Sequence, residues 1–272
     1  GMANLLPAHR DLANPQHRAE VARLWGVDSI PERPGKTAVE MFEAVRQGEI
    51  KAIWIVCTNP ALSMPDQVRV REALENAEFV ILQEAYRNTE TVPYADLLLP
   101  AASWGEKEGV VTNSERRITH LQPARIPPGE ARPDWEIATD FARRLSAKLR
   151  HPSGPALFPY TCAEAIFNEH RETTSGRDLD ISGLSYALLD ERGPQQWPFR
   201  EGASGGVVRL YADGVYPTAT GKAGFVNVRY QGVAEPTNAL YPFHFNTGRL
   251  RDQWHGMTRT GTVARLFSHA EE

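Results

Sequence analysis

The 272-residue sequence is poor in cysteine, in long apolar runs and in surplus positive charge. Its two cysteines, Cys57 and Cys162, cannot make a disulfide framework or a cysteine-rich metal site, which favours a reducing, cytoplasmic location. No apolar run approaches the roughly 20 residues that span a bilayer, so no membrane association is expected. The formal net charge of −4 argues against a nucleic-acid partner, because nucleic-acid binders usually carry a basic surplus.

The usual nucleotide-binding motifs are also missing. No G-x-G-x-x-G follows a strand pattern and no G-x-x-x-x-G-K-[ST] occurs, which disfavours a standard dinucleotide fold and a phosphate loop. His244 and His255 lack a third partner at ligand spacing, so no metal ligand is predicted.

Helix and strand patterns alternate over the first half of the chain. Thr37 and Glu40 have the spacing of a capping box before a periodic apolar run, which predicts a helix that ends at Gly48. The runs 51–57, 78–84 and 94–102 are typical of buried strands, and a helix with Ser63 as its cap is predicted between the first two. Strand, helix and strand in this order predict a right-handed crossover and a parallel sheet.

The rest of the chain predicts different structures in turn. A hairpin-like segment is predicted over residues 105–122, followed by a helix from Pro133. The apolar side chains of that helix recur at helical spacing and predict a core-facing stripe; they are Trp135, Ala138, Phe141, Ala142, Leu145 and Leu149.

The predicted fold class is α/β, a Rossmann-like parallel sheet flanked by helices and followed by the beginning of a β-rich, barrel-like domain. Residues 1–150 form the α/β domain, and residues 151–206 a Pro/Gly-rich excursion with one helix instead of a second core. Residues 207–272 begin the β-rich domain, with short alternating runs at 207–215, 225–230 and 241–249.

Polar residues follow three successive strand patterns. Asn59 leaves the first just before a helix N-terminus, Gln83 and Glu84 end the second, and Lys107 follows the third. Because the carboxyl ends of parallel strands meet at one edge, these residues together predict a nucleotide-like ligand. Taken singly, each residue also has a structural interpretation, as a turn former, a solvated strand end or a surface ion-pair member.

Five segments carry a family resemblance and span most of residues 1–261. They are "AHRDLANPQHRAEVARLWG", "CTNPALSMPD", "YADLLLPAASWGEKEGVVTNSERR", "PGEARPDWEIA" and "NTGRLRDQWHGMTRTG". In this order they resemble the molybdopterin oxidoreductase family, most closely the assimilatory and periplasmic nitrate reductases.

The resemblance implies an enzyme that reduces nitrate to nitrite at a molybdenum ion held by two molybdopterin guanine dinucleotides. It implies that Asn59 contacts the dinucleotide, that Gln83 and Glu84 meet its nucleoside end, and that Lys107 and Asp134 are further contacts. A carboxylate at Asp134 can accept from the N1–H and N2 amino groups of guanine.

The resemblance further implies that a loop near the end of the sequence enters the pterin and pyrophosphate region. Arginines there can meet phosphate oxygens, and a Trp–His pair can lie beside the pterin. The implied contacts are Thr247, Gly248, Arg249, Arg251, Gln253, Trp254, His255 and Gly256. Gly256 departs from the family pattern, which has Thr there.

The four-cysteine motif that binds a 4Fe–4S cluster in the family has no counterpart in this sequence, and neither does the cysteine that ligates molybdenum. No catalytic residue is therefore assigned, and we expect the chain to be a catalytically silent part of a nitrate reductase subunit whose partner is the remainder of that subunit. Three alternatives stay open: a formate dehydrogenase-like relative, a stand-alone guanine-nucleotide or pterin-binding module, and an inert chain that forms a homodimer through an exposed surface. Whether the isolated chain holds any cofactor is also left open.

Overall fold

The computed structural model describes residues 5–151, 154–246, 248, 256 and 263–267. The chain divides into two compact units after Ala212. The strands are β1 (Leu5–Leu6), β2 (Arg10–Asp11), β3 (Ala52–Val56), β4 (Phe79–Glu84), β5 (Leu97–Pro100), β6 (Gly109–Thr112), β7 (Arg117–Leu121) and β8 (Gln195–Gln196). The helices are α1 (Pro15–Trp25), α2 (Ala38–Arg46), α3 (Pro60–Ser63), α4 (Gln67–Asn76), α5 (Asp134–Lys148), α6 (Gly154–Leu157), α7 (Ala163–Thr173), α8 (Tyr186–Arg192) and α9 (Ala264–Phe267). None of the helices in these described ranges combines the length and apolar character that a membrane span requires.

The predicted parallel sheet is confirmed. Its strand order is β3-β4-β5, with Trp54 opposite Ile81 and Ile81 opposite Leu97. Alternate side chains of β3 and β4 pack against α2 and α4, as the period of two in a strand requires. This first core consists of Phe42, Val45, Ile53, Ile55, Ala61, Val70, Ala73, Leu74, Val80 and Leu82.

The two helices on this face begin differently. The capping box at the start of α2 is confirmed, because the Thr37 side chain accepts from the Glu40 amide and the Glu40 carboxylate accepts from the Thr37 amide. Ser63 does not cap α4, so that prediction was wrong: its hydroxyl donates to the Asn59 carbonyl at 3.0 Å and closes the short helix α3. Asp66 caps α4 instead, by accepting from the Arg69 amide at 3.4 Å.

The predicted hairpin is formed by β6 and β7, which are antiparallel, and β7 also pairs with β8. The segment expected to be an excursion with one helix carries α6, α7 and α8 and most of a second core. That core consists of Ile118, Phe167, Ile181, Leu184, Tyr186, Leu189 and Phe199. Because these apolar residues are spaced irregularly among prolines and glycines, they produce no periodic signal.

The stripe predicted on α5 is only partly buried. Ile137 and Thr139 are the buried residues of this helix, whereas Phe141 and Leu145 are exposed. The Phe141 ring meets the Trp54 ring edge-on at 4.8 Å between centroids. Since Trp54 alternates with Ile53 and Ile55 along β3, α5 lies on the face of the sheet away from α2 and α4.

The alternating runs after residue 206 do not form strands in the described part of the chain up to residue 246. Their apolar side chains face solvent, and Phe225, for example, is 97% exposed. A strand is stable only when a neighbour takes up its backbone hydrogen bonds, and no pairing is found for these runs within the described residues. The β-rich domain therefore stays a prediction.

Candidate functional site

Three strands of the parallel sheet end at the same edge. Val56 lies opposite Gln83, and Glu84 lies opposite Pro100, so the residues that follow β3, β4 and β5 emerge together. Helix α5 begins at Asp134 beside this edge, where its carboxylate contacts Gln83. This is the arrangement in which loops and side chains of an α/β sheet meet a ligand.

The carboxylate of Asp134 is the centre of the site. Lys107 Nζ donates to its Oδ2 at 2.5 Å, and Gln83 Nε2 donates to its Oδ1 at 2.8 Å. Burial raises the pKa of Asp134, but the hydrogen bonds from Lys107 and Gln83 outweigh that effect and hold the pKa below its usual value. Asp134 is therefore ionised at neutral pH, with both oxygens already oriented.

The side chain of Gln83 is 1% exposed. Its amide nitrogen is bound to Asp134, but its Oε1 has no hydrogen-bond partner among the described residues. A buried carbonyl oxygen without a partner costs about 1–3 kcal/mol. The site thus holds one buried acceptor without a donor among the described residues.

Cys57 belongs to the same cluster and was missed as a site residue. The residue is exposed and has a left-handed φ of 53°. Its Sγ lies 3.4 Å from Asp134 Oδ1. Although the residue as a whole is exposed, the sulfur faces the desolvated site, and burial together with the Asp134 charge raises the pKa of the thiol to about 11. Its position two residues before Asn59, at the end of β3, was the signal available in the sequence.

Asn59 is held by the segment that follows β4. Its Oδ1 accepts from the Thr91 amide at 3.2 Å and from the Thr91 hydroxyl at 2.6 Å. Its Nδ2 donates to Glu90 Oε2 at 2.5 Å. Asn59 therefore lies at the edge, but much of its hydrogen-bonding capacity is used within the chain.

Glu84 closes the turn that leaves β4. Its Oε1 accepts from the amides of Ala85 at 2.8 Å and Tyr86 at 3.3 Å. Of the predicted α/β-domain contacts, the structure joins Gln83, Lys107 and Asp134 directly and places Asn59 and Glu84 at the same sheet edge.

The predicted late loop falls mostly outside the described residues. Those outside are Thr247, Arg249, Arg251, Gln253, Trp254 and His255. Gly248 and Gly256 are described, and a Cβ added at Gly248 would meet nothing within 4 Å. The role of this loop stays a prediction.

No group of three or more His, Cys, Asp and Glu side chains is arranged to hold a metal ion within the ranges that the structure describes. The chemistry of the Asp134 cluster is that of hydrogen bonding and charge: one ionised carboxylate, one ammonium group, one buried amide and one thiol. Such a set has the chemistry needed to bind and orient a polar ligand.

Comparison with known proteins gives consistent matches. The sequence profile "Molybdopterin oxidoreductase" matches residues 3–144. A nitrate reductase of Synechocystis sp. is 44% identical over 98% of this chain and 37% of its own length. The assimilatory nitrate reductase catalytic subunit of Bacillus subtilis is 37% identical over 97% of this chain and 36% of its own length.

A more distant relative carries another name. The F420-dependent formate dehydrogenase subunit alpha of Methanocaldococcus jannaschii is 35% identical over 91% of this chain and 34% of its own length. The chain thus spans about a third of the length of these curated relatives.

Proposed function

Because the chain belongs to the molybdopterin oxidoreductase family, we propose that it forms part of the dinucleotide site of a molybdenum-dependent nitrate reductase. The proposal rests on one observation above all. At the carboxyl edge of the sheet, the ionised carboxylate of Asp134 lies beside a buried, unpartnered oxygen of Gln83.

These groups fit a molybdopterin guanine dinucleotide. Guanine presents two neighbouring donors, N1–H and the N2 amino group, and an ionised carboxylate accepts from both. Gln83 Oε1 supplies a further acceptor, and the Lys107 ammonium can neutralise a phosphate or donate to a base edge. Asn59 and Glu84 would complete the contacts from the same edge, and residues 247–256 are further candidate contacts on the strength of the family resemblance alone.

The cofactor would carry the redox chemistry, and the chain would bind and orient it. When bound, the molybdenum centre supplies oxygen-atom transfer from nitrate. In the whole enzyme we place the 4Fe–4S cluster and the rest of the cofactor shell in the remainder of the catalytic subunit, which is then the partner of this chain. A cytoplasmic location is part of the proposal and is supported by the assimilatory relative.

Calorimetry with GDP, the guanine end of the dinucleotide, tests the binding role. We expect the chain to bind GDP and Asp134→Ala to weaken that binding about tenfold or more, since a hydrogen bond to a charged group contributes about 1.5–3 kcal/mol. Asp140→Ala is the matched control, because Asp140 lies on the same helix and pairs with Arg132 and Arg144 instead. A folded chain that binds no GDP, or binds ADP equally well, contradicts the proposal.

A formate dehydrogenase-like enzyme is the second candidate, supported by the relative from Methanocaldococcus jannaschii. Reduced viologen with nitrate, and oxidised viologen with formate, distinguish the two activities in an enzyme assembled from this chain and the remainder of a relative's subunit. We expect nitrate reduction there and no turnover of either substrate by the chain alone. Turnover by the purified chain alone would show that the catalytic groups are within it.

A further inference from the structure

The side-chain amide of Asn59 has one fixed orientation, because one of its neighbours can only donate a hydrogen bond and another can only accept one. The Thr91 backbone amide can only donate, so the atom 3.2 Å from it must be the Asn59 oxygen. A carboxylate oxygen accepts, so the atom 2.5 Å from Glu90 Oε2 must be the Asn59 nitrogen. The oxygen therefore points to Thr91, and the NH2 group points to the exposed Glu90.

Thr91 is well suited to impose this direction. It is 0% exposed, and its hydroxyl is engaged on both sides. The hydroxyl accepts from the Ala61 amide at 3.3 Å and donates to Asn59 Oδ1 at 2.6 Å. Through these bonds Thr91 ties the segment after β4 to the segment after β3, across 30 to 32 residues of sequence.

The Asn59 NH2 group retains a donor for a ligand. An amide nitrogen carries two hydrogens, and Glu90 takes one of them. A rotated amide would instead place its oxygen against Glu90 and its nitrogen against the Thr91 amide, so both contacts would become repulsive. Removal of the Thr91 hydroxyl takes away the shortest bond to the Asn59 oxygen, leaves only the Thr91 amide and Glu90 to hold the side chain, and so weakens this preference.

We propose that Thr91 is a positioning residue that turns the Asn59 NH2 group outward, at the carboxyl edge of the sheet, for an oxygen acceptor of the bound dinucleotide. This inference rests on the proposed function and adds a residue that makes no ligand contact itself. The inference also assigns a hydrogen-bonding role to Asn59, which donates to the ligand through its NH2 group.

Nuclear magnetic resonance tests the positioning without any ligand. In the full chain we expect the two Asn59 side-chain amide protons to be well separated and protected from exchange. Thr91→Val keeps the shape without the hydroxyl and should bring both resonances towards the free-amide position, with exchange about tenfold faster. Thr91→Ser keeps the hydroxyl and should restore the wild-type signals. Unchanged signals in Thr91→Val, or free-amide signals already in the wild type, overturn the proposal.

A double-mutant cycle with GDP tests the coupling to binding. We expect Thr91→Val to weaken GDP binding about five- to tenfold, Thr91→Ser to restore it, and Thr91→Val to have no further effect in an Asn59→Ala background. An equal loss with and without Asn59 would mean that Thr91 acts only through general stability, and the proposal is then wrong. If the wild type binds no GDP, the proposed function fails, while the resonance measurement still decides the role of Thr91. If Thr91→Val does not fold, Thr91→Ala, which also lacks the hydroxyl, takes its place in both measurements.

Discussion

Lys107 and Asp134 are 27 residues apart in the sequence, yet the ammonium nitrogen of one lies 2.5 Å from a carboxylate oxygen of the other. Their side chains are 29% and 31% exposed, so the pair is only partly screened by solvent. The contact joins the segment after β5 to the first turn of α5. It also helps to keep the Asp134 carboxylate ionised at neutral pH.

Loss of the Lys107 ammonium group should destabilise the protein most at neutral pH and least in strong acid, where Asp134 is protonated whether or not its partner is present. The pKa of Asp134 is lowered by folding, so its stabilising contribution is present above the unfolded value of about 3.8 and is lost as the pH falls through the folded value. Lys107→Met should raise the folded pKa, move acid unfolding to higher pH and cost about 1 kcal/mol at pH 7. The free energy of unfolding, measured with urea across a pH series, checks both expectations. Lys51→Met, which removes the exposed Lys51–Glu78 pair, should leave the stability within error.

Gln83 should tolerate an apolar replacement better than a charged one. Gln83→Met removes the unpartnered Oε1 along with the bond to Asp134, so the two effects should nearly cancel. Gln83→Glu places a second buried carboxylate beside Asp134 and should cost about 2 kcal/mol or more at pH 7. Denaturant unfolding of the two variants compares them, and equal stabilities would contradict the assigned geometry.

The thiol of Cys57 should react slowly despite its exposure. Its pKa is raised from 9.0 to about 11, so at pH 8 the thiolate is about 100-fold scarcer than for an unperturbed thiol. In a Cys162→Ser background, alkylation of Cys57 by iodoacetamide should be about 100-fold slower than alkylation of an unperturbed thiol. Asp134→Asn should accelerate the reaction, because it removes the negative charge beside the sulfur. A rate equal to that of a free thiol would show that the sulfur does not face Asp134.

Two leucines that lie opposite each other in the sheet should differ sharply in the free energy of unfolding that is lost when each is replaced by alanine. Leu82 is 0% exposed and Leu98, its register partner, is 45% exposed. Leu82→Ala should cost about 3 kcal/mol, since it opens a cavity between the sheet and the helices α2 and α4, and Leu98→Ala should cost less than about 1 kcal/mol. Chemical unfolding measures both, and similar losses would mean that β5 is covered in solution.

The parallel sheet and its helices could be predicted because their signals are local. The β-branched runs at 51–57 and 78–84, and the capping box of Thr37 and Glu40, each lie within a few residues of sequence. The hairpin of β6 and β7 was predicted in the same way.

The features that were missed depend on contacts between distant segments. The second core draws on Ile118 and Phe199, and no sequence period connects them. The exposure of Phe141 depends on how far α5 extends across the sheet, which helical spacing alone does not determine.

The residues of the candidate site also divide into those that local sequence signals predicted and those that depend on contacts between distant segments. Strand ends predicted Asn59, Gln83, Glu84 and Lys107 from position alone, whereas Asp134 was assigned only through the family resemblance. Gln83 and Asp134 are 51 residues apart, and only the folded chain shows that they meet. The engagement of Asn59 by Thr91 likewise depends on a long-range contact.

The pairing of β7 on both sides limits how this protein can vary. One side of β7 completes the hairpin that follows Lys107, and the other side holds β8 from the Pro- and Gly-rich segment. Insertions next to β8 in that segment would disturb the pairing of β8 with the hairpin strand β7. Insertions in turns of the segment that lie away from β8 would not. Homologues of different length should therefore place their extra residues away from Gln195 and Gln196, in spite of the loop-like composition around them.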